Sequence, residues 1–497
     1  MKTISKLLLL SSLVVMSSCD LTEDPYGFYS EENFYQTADD AEAGLMYAYD
    51  AITYLEYSRV IFWAGGLPTD ESTPKADEGV DVQDLARWNV ANFDNNGMLT
   101  NYFKYAYIAI NRANALIEQI PDADFEPELK DQYLGEAYFL RAWHYYNLAI
   151  YFGRVPVHTS TVETLDQTSA PLARNLDEIY DLIISDSDEA IRLLGYQQRL
   201  GRADKVAAQA LAAKAYLYMA SAKENGVPLY TELEENVTGM YAKAEEYARE
   251  VVYNQSEYGF EENLLNIYDV EQPSGPEHIF LMSMDRSGDI EGDYSKISKL
   301  FIPYIDGATI YLDDYDGTYS ASHDGWSSIE TNLSFYDSFD DSDSRKTVLM
   351  VDSVYNQEGE LSAEYPGAVL YPFTRKYIDP DFIGDKTSTK PYLIRFSDIA
   401  LVFAEAAGPT TEAYEQVNYI RNRAGLGDLP TGLSGEDFRE AVLEERKYEL
   451  AFEGNRLHDL RRHKLIQTIV PEASDLTDEE ASFYPIPQRE VNLNQGL

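Results

Sequence analysis

The stretch Glu444–Arg462, EERKYELAFEGNRLHDLRR, constrains the fold of this chain more than any other. On a 3.6-residue helix, Phe438, Ala441, Val442, Tyr448, Ala451 and Phe452 fall on one arc, and Glu445 and Glu449 fall inside it. Burying a bare carboxylate costs several kcal/mol, so both acids need cationic partners; Arg421, Arg423 and Arg456 are the candidates nearby. Gly454-Asn455 ends the helix with a pair that tolerates a left-handed turn, and a short amphipathic segment, Arg456–His463, begins at once. The spacing predicts one ion-paired helix that holds the last segments against the body. Its role is stability, not chemistry.

A chain of 497 residues can bury a large core around such a clamp. Acid outweighs Lys and Arg by 86 to 39, a formal charge of −47. Nucleic acid and anionic membrane surfaces are therefore excluded as partners, because no cationic excess exists to release counterions. The same field weighs against a polyanionic ligand unless a local basic patch overrides it. Lys2 and Lys6 precede an apolar run, Leu7–Met16, and then Ser17-Ser18-Cys19. That is a secretory signal over 1–18, too short to span a bilayer. Cys19 is the only cysteine, so no intramolecular disulfide forms, and its position marks it as the acylated first residue of a lipoprotein with a tether over 19–30. The membrane is reached by that anchor only.

Ser30 followed by Glu31-Glu32-Asn33-Phe34 predicts a helix start, continued over Ala38–Tyr57. Trp63–Asn96 loses the period and carries Gly65-Gly66, Pro68, Pro74 and Gly79, the pattern of a loop. Helices are expected again from Tyr102 to Ile120, then over Glu136–Tyr151, Asp177–Leu194, Arg202–Ala222 and Tyr241–Tyr253. Ala137–Pro156 aligns with Gln209–Pro228 at alternating small and large apolar positions, and Leu140 and Leu211 lie 71 positions apart, about twice the period of a tetratricopeptide repeat. That predicts stacked helical pairs with one pair between these two helices. Residues Gly275–Arg395 are rich in Gly, Asp, Ser and Tyr, with a few strand-like runs at Ile279–Met284, Thr347–Ser353 and Val369–Phe373. So long a loop is anomalous unless functional. Helices return at Ser397–Ala407, Thr411–Ala424 and Gly435–Gly454. The expected architecture is mainly α: tetratricopeptide-like repeats as scaffold, a long irregular loop-rich layer and a few short strands. It forms one domain over 31–497, with a helical part (31–258, including the loop 63–96), a loop-rich part (259–396) and C-terminal helices and tail (397–497).

No catalytic constellation stands out. The six histidines form no HExxH, and there is no G-x-S-x-G elbow, P-loop or GxGxxG. With so many acids, spacing cannot nominate a glycosidase pair. No cofactor or metal site is expected, although the acidic loops Asp313–Gly317 and Asp337–Asp343 could take up an incidental calcium ion. Exposed aromatics remain. A neutral sugar offers apolar C–H faces and a rim of hydroxyls, so it is bound by flat rings with polar side chains at their edges. Two loops supply this mixture. One carries Arg87-Trp88-Asn89; the other, Asp285–Tyr336, carries Tyr294, Tyr304, Tyr311, Tyr315, Tyr319 and Trp326. Trp63, beside Ile61 and Phe62, and Trp143, on a stripe with Leu140 and Leu148, are expected in the core.

EERKYELAFEGNRLHDLRR resembles the C-terminal signature of the SusD/RagB family, outer-membrane glycan-binding lipoproteins of Bacteroidetes. The helix pair with Ala404–Ala406 and VNYIRNRAGL (Val417–Leu426), and the closing YPIPQREVNLNQGL (Tyr484–Leu497), resemble it too. Asp20, Glu23 and Asp24 after Cys19 are similar to the surface-export signal of such lipoproteins. The resemblance implies the repeat scaffold, a glycan site on loops from these two parts of the chain, and a SusC-like TonB-dependent transporter as partner. It carries over no individual glycan contact. The expected function is capture of an oligo- or polysaccharide at the cell surface, a neutral glycan favoured, and delivery to the transporter without catalysis. A glycan-degrading hydrolase and a peptide-binding repeat protein remain open alternatives.

Overall fold

Thr37 caps the first helix: its hydroxyl accepts from the amide of Asp40, whose carboxylate takes the Thr37 amide in return. The computed structural model describes residues 34–290, 292–305, 307, 309–494 and 496, and the side chains of 55–58 and 165 also fall outside it. The signal over 1–18, Cys19, the tether and the expected helix start at Ser30 lie outside the described residues. From Thr37, α1 runs over Ala38–Thr53 and stops at Tyr54, whose ψ of 132° leaves the helical region; α2 follows over Leu55–Gly65. The single helix expected over Ala38–Tyr57 is therefore two. The expected loop at 63–96 is largely ordered: α2 passes through Trp63, β1 spans Ser72–Pro74, and α3 spans Val80–Ala86.

Four long helices and α8 form the scaffold: α4 (Gly97–Gln119), α5 (Pro127–Phe152), α6 (Leu176–Leu193), α7 (Lys205–Glu224) and α8 (Val237–Tyr253). Each packs on the next, and α8 packs on α9 (Phe396–Ala407). Both α5 and α7 are buried nearly all round, α7 largely through alanines that let neighbours approach. These are the two helices whose sequences align. Only α6 lies between them, not a helical pair; the remaining length is the long connection between α5 and α6. Trp63 and Trp143 lie in the core as expected.

The C-terminal helices α10 (Thr411–Arg423), α11 (Gly435–Glu449) and α12 (Arg456–Arg462) follow α9. Glu445 and Glu449 are buried and paired. Arg421 reaches Glu445 at 3.1 Å and Arg423 reaches Glu449 at 2.7 Å, as the sequence suggested. Arg456 instead forks onto Asp70 at 2.7 and 2.8 Å. The strongest partners are Arg345, 2.6 Å from Glu445, and Arg395, 2.7 Å from Glu449 and 2.8 Å from Glu453. Both come from the irregular part of the chain. The clamp thus bolts that layer onto α11.

Short antiparallel strands organise the layer. β2 (His278–Leu281) pairs with β10 (Tyr392–Arg395), and β6 (Met350–Val351) with β9 (Phe373–Thr374). β3 (Ile310–Asp313), β4 (Tyr319–Ser322), β7 (Ser353–Tyr355) and β8 (Leu361–Glu364) make one sheet in the order β4-β3-β7-β8. β1 pairs with β5 (Ile329–Thr331), Ser72 opposite Thr331, and so ties the first expected loop to the second. The first half of the expected run Ile279–Met284 falls in β2; Thr347–Ser353 contributes β6 and the start of β7; Val369–Phe373 contributes only Phe373.

Candidate functional site

Trp88 is not a surface platform. It is 3 % exposed, its indole N–H donates to the carbonyl of Pro68 at 3.2 Å, and its ring stacks over Tyr484 with centroids 6.5 Å apart. Its φ is +52°, in the left-handed region. The cover comes from Tyr484, almost 400 residues downstream, which no local pattern announces. Arg87 and Asn89 stay exposed, and the Asn89 amide donates to Asp84 at 2.7 Å. The triplet does not make a ring-lined hollow.

Three tyrosines of the second loop, Tyr311, Tyr315 and Tyr319, are brought together on one small sheet and its turn. In β3, Ile310 and Leu312 point into a small core with Val354 and Ala363. Tyr311 and Asp313 therefore face outward. Tyr311 lies opposite Ala321 and Tyr355, and Asp313 opposite Tyr319, so directly paired side chains share that outer face. The rings of Tyr319 and Tyr355 touch, centroids 5.1 Å apart. Tyr315, at φ +63° in the β3–β4 turn, is 55 % exposed and donates its hydroxyl to the carbonyl of Thr347 at 2.6 Å. Alongside, Tyr336 donates to Asp352 at 3.3 Å and meets Tyr365 at 6.0 Å. Burial first, then the carboxylates of Asp313, Asp352 and Glu364, push the Tyr355 phenol up. The result is a band of phenols rimmed by carboxylates. Tyr355, Tyr336 and Tyr365 were missed in the sequence; the in–out alternation of Val354-Tyr355 was the available signal.

Trp326 is half-buried against the main core. Its amide donates to the carbonyl of Lys299 at 2.7 Å, and Gly325 presses so closely on Ile302 that a side chain there would collide with the backbone. The Arg59 guanidinium and the Lys299 ammonium flank the indole at 5.5 and 5.6 Å from its centroid. Tyr304, on the neighbouring run, is 65 % exposed, and Tyr294 is half-buried with Lys386 at 4.8 Å and Lys296 at 5.6 Å. Cations thus flank Trp326 and Tyr294, as Lys346 flanks Tyr336 of the tyrosine band at 5.1 Å.

Asp314 of the expected calcium loop is paired with Arg375, and Asp343 with the buried Arg345 at 2.8 Å. Among the described residues, no group of three or more His, Cys, Asp or Glu is placed to hold a metal ion. Among them, too, no helix is long and apolar enough to cross a membrane.

Stacked helical pairs that carry an ion-bolted layer of short strands, with rings on its outer face, define a mainly α repeat scaffold. Residues 341–497 match the model of the SusD family, and residues 69–217 match a family described as starch-binding, associating with outer membrane. The chain belongs to the SusD family. A SusD-like protein of Formosa agariphila is 28% identical over 481 residues, covering 91% of this chain and 89% of its own. A SusD-like protein of Bacteroides ovatus is 22% identical, covering 92% and 82%. Among solved structures, a SusD homolog from Bacteroides thetaiotaomicron superposes with a TM-score of 0.74 at 21% identity, covering 94% of this chain and 97% of that one. A laminarin-binding SusD-like protein gives 0.74 at 23% identity, covering 92% and 98%. These likenesses establish a shared fold.

Proposed function

We propose that this protein is a cell-surface lipoprotein that binds an oligo- or polysaccharide on the tyrosine band and passes it to a SusC-like TonB-dependent transporter, without catalysis. The observation that carries the reading is the outer face of the β3 sheet, where Tyr311, Tyr319 and Tyr355 line up beside Asp313. Rings stack on the C–H faces of a sugar, while carboxylates and phenol hydroxyls take its hydroxyls. Tyr304, Trp326 and Tyr294, in a separate second group of rings, are further candidate contacts. Carbohydrate binding by a structural relative, the laminarin-binding protein, supports the reading. The lipoprotein-like start of the sequence around Cys19 and the outer-membrane association of the matched starch-binding family support the location. The carboxylate rim favours a neutral glycan, because Asp313, Asp352 and Glu364 repel sulfate and uronate groups.

Affinity electrophoresis through gels containing laminarin, starch, alginate or chondroitin sulfate tests this. Retardation by a neutral glucan is expected. Each lost stacking ring is worth about 1 kcal/mol, so Y319A/Y355A weakens it by about 30-fold. Unchanged retardation of the double variant, or retardation only by the anionic polymers, overturns the assignment. Release of reducing ends from either glucan would overturn the non-catalytic part.

A further inference from the structure

A large cavity lies away from the aromatic layer, in the helical scaffold. It is a cleft of about 1030 Å³ between α4, the long α5–α6 connection and the C-terminal tail. Its apolar floor is Phe103, Tyr107 and Ile108, and its rim carries Lys104, Arg112, Asp166, Glu490 and the His158 ring.

Buried polar side chains are committed to holding one wall of this cleft. Asn114, fully buried, donates to the carbonyls of His158 at 3.1 Å and Ser160 at 2.9 Å. Arg141, itself paired with the buried Asp186 at 2.7 Å, fixes Asn114 at 2.9 Å and the Thr159 carbonyl at 3.3 Å. The Tyr145 hydroxyl accepts the His158 amide at 2.6 Å, Tyr107 donates to the Pro156 carbonyl at 2.6 Å, and Asn111 accepts the Val162 amide at 2.7 Å. At the far end Asn494 holds Ala170 through both its amide and its carbonyl, at 3.0 and 2.7 Å. These ties shape the wall of the cleft before any ligand arrives.

The lining also restricts the occupant. Two cations stand against two carboxylates on the rim, so the cleft selects no ion of either sign. Burial keeps His158 below its usual range and hence neutral, able both to donate and to accept. The backbone of α4 is spent within its own helix, and Asn111 and Asn114 take the carbonyls of His158, Ser160 and Val162, which disfavours strand-like pairing by an extended peptide along that wall. An apolar floor with a neutral, mixed donor–acceptor rim suits polyhydroxylated rings, and the volume admits a few of them.

We propose that this cleft is a second saccharide site, which takes a short neutral oligosaccharide or the end of a longer one independently of the tyrosine band. The choice of a sugar as occupant rests on the glycan-binding reading above.

Saturation-transfer NMR of the full chain with glucose, galactose, mannose, xylose or fructose tests it. Three proteins are compared: wild type, the band variant Y319A/Y355A, and Ile108→Trp, which fills the cleft floor; Ser169→Trp at the rim replaces the last if it melts early. At least one sugar is expected to give transfer that persists in the band variant and falls several-fold in the cleft variant. Transfer that vanishes in the band variant and survives in the cleft variant overturns the second site and leaves the first reading standing. Transfer lost only in the cleft variant supports the second site and counts against the band. No transfer from any of the five sugars to wild type, or full transfer to both variants, overturns the proposal.

Discussion

Arg395 shows how single residues hold this molecule. It is almost wholly buried, and its guanidinium meets Glu277 at 2.9 Å, Glu449 at 2.7 Å and Glu453 at 2.8 Å. Removing it takes one cation from three buried carboxylates and leaves them only Arg423, Arg345 and Lys376, so Arg395→Ala should cost about 3–5 kcal/mol in urea unfolding. Acid attacks the same kind of contact. Burial alone would raise the Asp398 pKa, but Lys214 and Arg446 overcome it and hold the group well below the usual range; Arg462 with His463, and Arg423 with Arg395, do the same for Glu405 and Glu449. For carboxylates depressed on folding, the stabilisation is present above their unfolded pKa values of about 4 and is lost as pH falls towards the folded values. The urea midpoint should therefore drop steeply below about pH 4. Glu71 runs the other way. Burial chiefly pushes its pKa up to about 8, and one of its oxygens has no hydrogen-bond partner. Its folded form holds a proton that the unfolded chain has released, so stability falls as pH rises from about 4.3 to 8. Glu71→Gln should stabilise the protein by a few kcal/mol at about pH 9 and leave it little changed near pH 4; equal stability of the two proteins at alkaline pH would refute this.

Among the elements, the turn from α11 to α12 depends most on one residue type. Phe452 and Gly454 have φ of +63° and +78°, and a side chain on Gly454 would meet Ile61 of α2 at 2.8 Å. Gly454→Ala combines backbone strain with that clash and should cost more than about 1 kcal/mol, read from the denaturant midpoint. The helix itself was expected to run to Gly454 but ends at Glu449, because the tight return to α12 needs these residues out of the helical region. Most helices were legible from periodicity, with ends displaced by a few residues. Strands were less so. Tyr311-Leu312-Asp313 alternates plainly, but its partners lie at 319–322 and 353–355, and a run of four residues reveals an alternation without its pairing. The repeat spacing likewise showed that α5 and α7 are alike. It could not show that the extra residues between them form one long pinned connection.

For the whole molecule, the formal charge of −47 dominates. Buried pairs are little affected by salt, whereas repulsion among exposed acids is screened over about 10 Å at 0.1 M. Raising NaCl from about 0.01 to 0.15 M should therefore raise the Tm. A fall would mean that exposed ion pairs outweigh the general repulsion. The sequence by itself determined the helical scaffold, the need to pair Glu445 and Glu449, and the position of tyrosines on an irregular layer, because periodicity, burial cost and composition are local properties. Only the tertiary structure decided which rings face solvent and which cations complete the clamp. Tyr484 covers Trp88, Arg345 and Arg395 reach α11, and β1 pairs with β5. Each joins residues far apart in the chain, and solvent exposure follows from what the rest of the fold lays over a residue.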